Sequence, residues 1–306
     1  MSSRNHAIRG QTPSGPLFDR YIVVDWSARN SPATGADSIW IAERGQHDVA
    51  LSNPPTRRVA IDQLDRMLDR CGDERVLLAI DASLGYPAGT AQLLGLTGAS
   101  WAATWRLIAD LSEDDERNHN NRFEVAAELN RRIGDESGPF WGCPAARAGQ
   151  HLRPTKPPAF AVGEFRATER RLRESGLRPA SSWQLLGVGS VGSQTLTWLP
   201  AAVQLQARRH GRFEVWPFTT GLVVPAIGGG AVVVAEVWPT MFPVDVVGGV
   251  VKDEAQVRDT ASALQAADLS GELASWFAPE LPVREAVRVV AEEGWVLGAP
   301  GSAHLR

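Results

Sequence analysis

Apolar positions along this chain follow two rhythms, one suited to strands and one to helices. "YIVVDWSA" around Ile22–Val24, "DSIWIAERG" (37–45) and "HDVALSN" (47–53) are short β-rich runs. A polar loop with Pro32 and Gly35 separates the first two and a Gly-Gln turn the last two, which predicts an antiparallel meander. "RRVAIDQLDRMLDRC" then sets Val59, Ile61, Leu64, Met67 and Leu68 on a helical stripe. "RVLLAIDASLGYP" (75–87) is uninterrupted from Val76 to Ile80, the pattern of a strand buried on both faces. The predicted order is β-β-β-α-β.

Residues 91–211 are mostly helical in pattern, with helical spacing in "ASWAATWRLIADL", "NNRFEVAAELNRRIG" and "FAVGEFRATERRLRESG". Strand character returns at 212–218 and 230–239, followed by helices at 251–268 and 283–294. The uncharged run 219–235 is cut by Pro225 and Gly228-Gly229-Gly230, so it reads as strand, turn and strand, not as a membrane span. The expected organisation is a disordered tail at 1–19, a core from 20–90 and 212–268, a helical insertion at 91–211, and a C-terminal helix and tail at 269–306 packed on that core.

With 306 residues, 43% apolar and 22% charged, the chain has ordinary globular composition. Its net charge of −4 argues against a broad nonspecific nucleic-acid binder. Only Lys156 and Lys252 are lysines, an arginine bias that suits bidentate contact with phosphate or carboxylate. Two cysteines, Cys71 and Cys143, make neither a disulfide framework nor a zinc site, so a cytoplasmic location is expected, with no membrane partner.

"GVGSVG" (187–192) matches the dinucleotide fingerprint by letter, with Glu214 as the acid to seek. Only Trp183–Leu186 precede it, and Glu214 begins its strand, so a Gly-Ser turn capped by Ser190 or Ser193 explains it better. No nicotinamide, flavin or haem is expected. The acids say more. Asp25, Asp81 and Glu236 each end an apolar run, and if those strands are neighbours the three carboxylates share one volume. Repulsion there is relieved by protonation or a divalent cation, and oxygen-only ligands favour Mg²⁺ or Mn²⁺. The 251–268 helix offers a fourth acid. Helical phase favours Asp253, which heads the Val257–Ala261–Leu264 stripe, while Asp259 takes the role if the alanine face packs instead.

A β-β-β-α-β start with aspartates in "VVDWS" and "AIDASLGYP", then acids in "AEVWP" and in a late helix, resembles the ribonuclease H-like fold. Within it, "FRATERR", "EVWP", "KDEAQV" and "EEGWVLG" are similar to segments of the uncharacterised bacterial DUF429 family. The resemblance runs over about 21–298 and implies an α/β mixed sheet carrying a large helical insertion. Characterised proteins of that fold are metal-dependent nucleases, resolvases and transposases, so it implies a divalent-metal-dependent phosphodiester hydrolase. Asp25, Asp81, Glu236 and Asp253 would hold the metal.

Around them, Trp26, Ser27, Arg122, Arg166, Trp238 and Lys252 are candidate substrate contacts. Each also has a plain structural reading. Arg166 and Glu169 are an i, i+3 pair suited to a surface salt bridge, and "RNHNNRFE" (117–124) can be a helix-capping loop. Tryptophans are commonly buried. The expected partner is a small or single-stranded nucleic acid or another anionic ligand. The competing reading is a noncatalytic or small-molecule-binding protein with a biosynthetic accessory role, using the same acidic pocket. A duplicated sugar-kinase or actin-like core is disfavoured, because one β-β-β-α-β unit is present.

Overall fold

Strand β1 (Arg20–Asp25) pairs antiparallel with β2 (Trp40–Arg44), which pairs antiparallel with β3 (Val49–Ser52). The meander hands over to helix α1 (Arg57–Cys71), and β4 (Val76–Asp81) returns parallel to β1. This computed structural model describes residues 15–301 apart from 47, 135–137, 188, 210 and 247. After β4 come helices α2 (Thr90–Leu93), α3 (Ser100–Leu111), α4 (Arg122–Ile133), α5 (Ala167–Glu174) and α6 (Val191–Arg208). Strands β5 (Phe213–Val215) and β6 (Val232–Glu236) complete a mixed sheet of order β3-β2-β1-β4-β6-β5. Helices α7 (Lys252–Ser270), α8 (Leu273–Phe277) and α9 (Val283–Arg288) follow, the last running on into a π-helical turn, Val289–Glu293. The protein is thus of the α/β class.

The apolar runs read from the sequence are the three central strands, and alternation sorts them onto two cores. Ile22, Val24, Leu78, Ile80 and Val234 face α1, α6 and the insertion. Tyr21, Val23, Leu77, Ala79, Val233 and Ala235 face α7 and α8. On α7 the buried stripe includes Val257, Ala261 and Leu264, as its phase predicts. On α1 the predicted stripe is partly displaced. Val59 is exposed, and Ala60, Leu64, Met67, Leu68 and Cys71 are buried. Val59 lies five residues before Leu64, about 140° around the helix from it.

Three expected elements are shorter. The helix expected at 160–176 begins only at Ala167. Of the 219–235 hairpin only β6 forms. The β5 ladder stops before Pro217, which has no N–H to donate. The tail reading extends over residues 1–14, which lie outside the described residues, but 15–19 belong to the fold. Leu17 and Phe18 are buried and donate their backbone N–H groups to the Asp268 carboxylate at 2.8 and 2.9 Å. Tyr21 adds its hydroxyl to the same group at 2.6 Å. Among the described residues no helix is long and apolar enough to cross a membrane.

The terminal "EEGW" segment fastens the insertion to the sheet. Glu292 accepts the backbone N–H of Gly89 at 2.8 Å, and Glu293 accepts those of Ala88 at 3.1 Å and Ala167 at 2.6 Å. The starts of α2 and α5 are therefore held by two neighbouring carboxylates. Gly85 makes the approach possible, since a Cβ there would lie 2.2 Å from the Glu292 carbonyl oxygen.

Asp268→Ala leaves two buried backbone donors unsatisfied and leaves the Tyr21 hydroxyl only the Phe18 carbonyl, at 3.2 Å. It is expected to lower unfolding free energy by about 2–4 kcal/mol. Urea unfolding at unchanged m-value measures this, and a loss below about 0.5 kcal/mol contradicts the assignment.

Candidate active site

Parallel pairing of β1 with β4 sets Asp25 opposite Asp81, and their positions in the alternation turn both toward the α7 face. Each is partly exposed on the floor of a cavity of about 670 Å³. Among the described residues neither side chain has a hydrogen bond or an ion pair. Asp253 joins them from the first turn of α7, where its Oδ2 accepts the Asp37 N–H at 2.7 Å.

The electrostatics follow from that crowding. Burial raises the Asp25 pKa well above the carboxylate range, and Asp81, Asp253 and Asp37 add to it, while Lys252 works the other way. Burial, then Glu236 and Asp253, push Asp81 up to about 7. Asp253 is raised too, chiefly by burial. A carboxyl with a raised folded-state pKa favours the fold fully only below its ordinary pKa of about 4. That contribution is lost as pH rises through about 7 for Asp81.

Glu236 stands differently. It pairs in register with Ile80, so it has the opposite parity from Asp81. Arg166 Nη1 and Nη2 donate to its Oε2 and Oε1 at 2.7 and 2.6 Å, and Leu84 N–H donates to Oε2 at 3.0 Å. Both oxygens are engaged, which corrects its expected role as a free metal ligand. Arg166 is likewise no surface residue or substrate contact. It is fully buried, bonded to Glu169, Glu236 and the Glu293 carbonyl. Burial opposes its charge, but Glu169 and Glu236 outweigh that and raise its pKa.

Of the other candidates, Asp259 lies outside the cavity, bonded to Arg258 at 2.7 Å and to the Asp245 N–H at 2.8 Å, so Asp253 is the helix acid of the cluster. Trp26 has a buried ring that donates to Thr197 Oγ1 at 3.1 Å and meets Trp198 edge-on, which removes it as a stacking platform. Ser27 borders the cavity and donates to the Asp37 carbonyl at 3.1 Å, and half-buried Trp238 forms part of the wall. Lys252 is exposed and does not line the cavity, though its charge acts on Asp25 and Asp253.

Arg122 lines the wall. Its Nε donates to Ser193 at 3.0 Å, its Nη1 to Asn120 at 2.8 Å and to Asn30, and its guanidinium lies 4.3 Å above the Phe123 ring. Burial, then Arg57, bring its pKa down to about 10. The rest of "RNHNNRFE" is a clasp. Asn118 accepts the Arg57 N–H at 2.8 Å, and buried Arg57 grips Asp114, the Asn118 carbonyl and the Ser27 and Arg29 carbonyls.

The "GVGSVG" glycines serve the same wall. Gly187 and Gly189 adopt positive φ, and a Cβ on Gly192 would lie 2.6 Å from the Ser182 and Gln184 carbonyl oxygens. No strand leads into them, and Ser190 at the α6 N-cap makes no side-chain capping bond.

Asp37 and Arg29 also border the cavity, and the sequence reading passed over both. A signal existed for Asp37. In an antiparallel meander the residues just before β2 lie beside the end of β1, next to Asp25.

Among the described residues no group of three or more His, Cys, Asp or Glu side chains is disposed to hold a metal ion. Comparison with protein-family models, curated proteins and solved structures finds no match for the chain.

Asp81→Asn removes one of two crowded charges. In metal-free buffer it is expected to raise stability at pH 8 by about 1–3 kcal/mol, with the gain shrinking toward pH 5. Melting curves at both pH values check this. A variant less stable than wild type at pH 8 contradicts it.

Proposed function

We propose that this chain is a divalent-cation-dependent phosphoester hydrolase of the ribonuclease H-like type, with Asp25, Asp81 and Asp253 as its working acids. The observation that carries this reading is the Asp25–Asp81 pair, two adjacent carboxylates without hydrogen-bond or ion-pair partners among the described residues, at the floor of a cavity. The β-β-β-α-β order with acids ending β1 and β4 supports the fold assignment and the likeness to DUF429 proteins.

The donor set fits a hard cation: oxygen ligands only, with mutual repulsion that a cation would relieve. Asp25 and Asp81 would hold it, with Asp253 beside them. A bound Mg²⁺ or Mn²⁺ would stabilise charge on the phosphoryl group and lower the pKa of water. In the reaction, the water oxygen bonds to phosphorus, the ester P–O bond breaks, and the leaving oxygen takes a proton. The chain's own groups set the stage. Glu236 holds Leu84, three residues beyond Asp81, and Arg166 pairs with Glu236, although the Glu236 charge still raises the Asp81 pKa.

A noncatalytic anion-binding pocket is the second reading, and it draws support from the lack of a ready-made three-ligand group among the described residues. Cation binding separates the two. Millimolar Mn²⁺ is expected to raise the melting temperature by several degrees, with Asp25→Asn abolishing the shift and the turnover of an aryl phosphodiester. Because the ligands must be deprotonated, the shift grows from pH 6 to pH 8, across the Asp81 value of about 7. An unchanged melting temperature at millimolar Mn²⁺ and pH 8 contradicts the hydrolase reading.

A further inference from the structure

Arg122 is a cation without a counter-ion. Among the described residues no carboxylate lies within ion-pair distance of it, unlike Arg57 or Arg166, which are paired. Neutral oxygens of Asn30, Asn120 and Ser193 fix the guanidinium, and the Phe123 ring supports one face. These anchors come from the loop after β1, the clasp, α4 and α6, so the group is held from several sides. Holding a half-buried charge in place without an acid is costly, and an anion arriving from the cavity would offset that cost.

The same cavity contains an apolar stretch, Leu172, Pro179, Leu185, Leu186 and Val191, with Leu186 47% exposed at its edge. Its volume of about 670 Å³ falls within the roughly 300–1,000 Å³ of small-molecule sites. A duplex-binding face would instead be broad and strongly basic, burying about 1,000–2,500 Å². Here Asp25, Asp37, Asp81, Asp253, Glu169 and Glu236 line the cavity, with only Arg29 and Arg122 as basic residues among the described ones.

We infer that the site takes a small phosphodiester of dinucleotide size or less that carries a second anionic group, with that group on Arg122. The ester faces the acids and the apolar body rests on the Leu172–Leu186 wall. The acid end of this arrangement rests on the hydrolase reading above, whereas the Arg122 end does not.

The dinucleotides pdTpdT and dTpdT, which differ by one terminal phosphate, test it by calorimetry with Mg²⁺ present. Wild type is expected to bind pdTpdT at least about tenfold more tightly than dTpdT. Arg122→Gln should erase that preference, Arg122→Lys should keep part of it, and Arg131→Gln, on the exposed side of α4, should keep all of it. Melting curves confirm that each variant is folded. A preference that survives Arg122→Gln, equal binding of the two by wild type, no binding of either at millimolar concentration, or tighter binding of a 20-base-pair duplex would each overturn the inference. Binding with the expected pattern but no turnover in Mn²⁺ upholds the Arg122 subsite and removes the hydrolase reading instead.

Discussion

Two carboxylates forced side by side, with no hydrogen-bond or ion-pair partner among the described residues, set the terms for the rest of this molecule. Parallel, in-register pairing of β1 and β4 leaves no choice: Asp25 and Asp81 must end neighbouring strands on the same face. Both strands are buried on both sides up to those residues, so neither can slip register without turning apolar side chains outward. The large apolar core thereby offsets a local repulsion that would otherwise pull the tips apart.

The surrounding charges show that the fold balances acids where it has no use for their charge. Glu236 is matched by Arg166, Asp259 by Arg258, and Asp268 by backbone N–H groups and a tyrosine. Asp25 and Asp81 stand apart from that practice. Arg122 is their opposite in sign and, among the described residues, alike in having no ion pair, on another wall of the same cavity. An acid floor and the fixed Arg122 guanidinium are complementary to a ligand that presents a cation-bridged ester at one end and a free anion at the other.

Much of the core was legible because its strands are long apolar runs and its late helix has a clean phase. The acids ending β1 and β4 were legible for the same reason. Parity was the information left unused. Trp26 follows Asp25 and so points to the opposite face, into the core with Trp198. Glu236 pairs with Ile80 and not with Asp81, so it reaches the cavity on the opposite parity and is engaged by Arg166, and strand order alone did not reveal that offset of one residue. Arg166 was harder. Its partner Glu236 is 70 residues away, and the nearby Glu169 gave it the look of a surface pair. The clasp around Arg57 and the "EEGW" fastening are likewise contacts between distant segments with no local pattern.

Carboxyl titration by ¹³C NMR of the metal-free protein tests the central claim most directly, with Asp25→Asn and Asp81→Asn used to assign the signals. The Asp25–Asp81 pair is expected to titrate with at least one apparent pKa near 7, and Asp81→Asn should bring Asp25 down. Two independent titrations near 4, unchanged in the variants, would mean that the carboxylates do not share one volume and that no demand for a cation exists there.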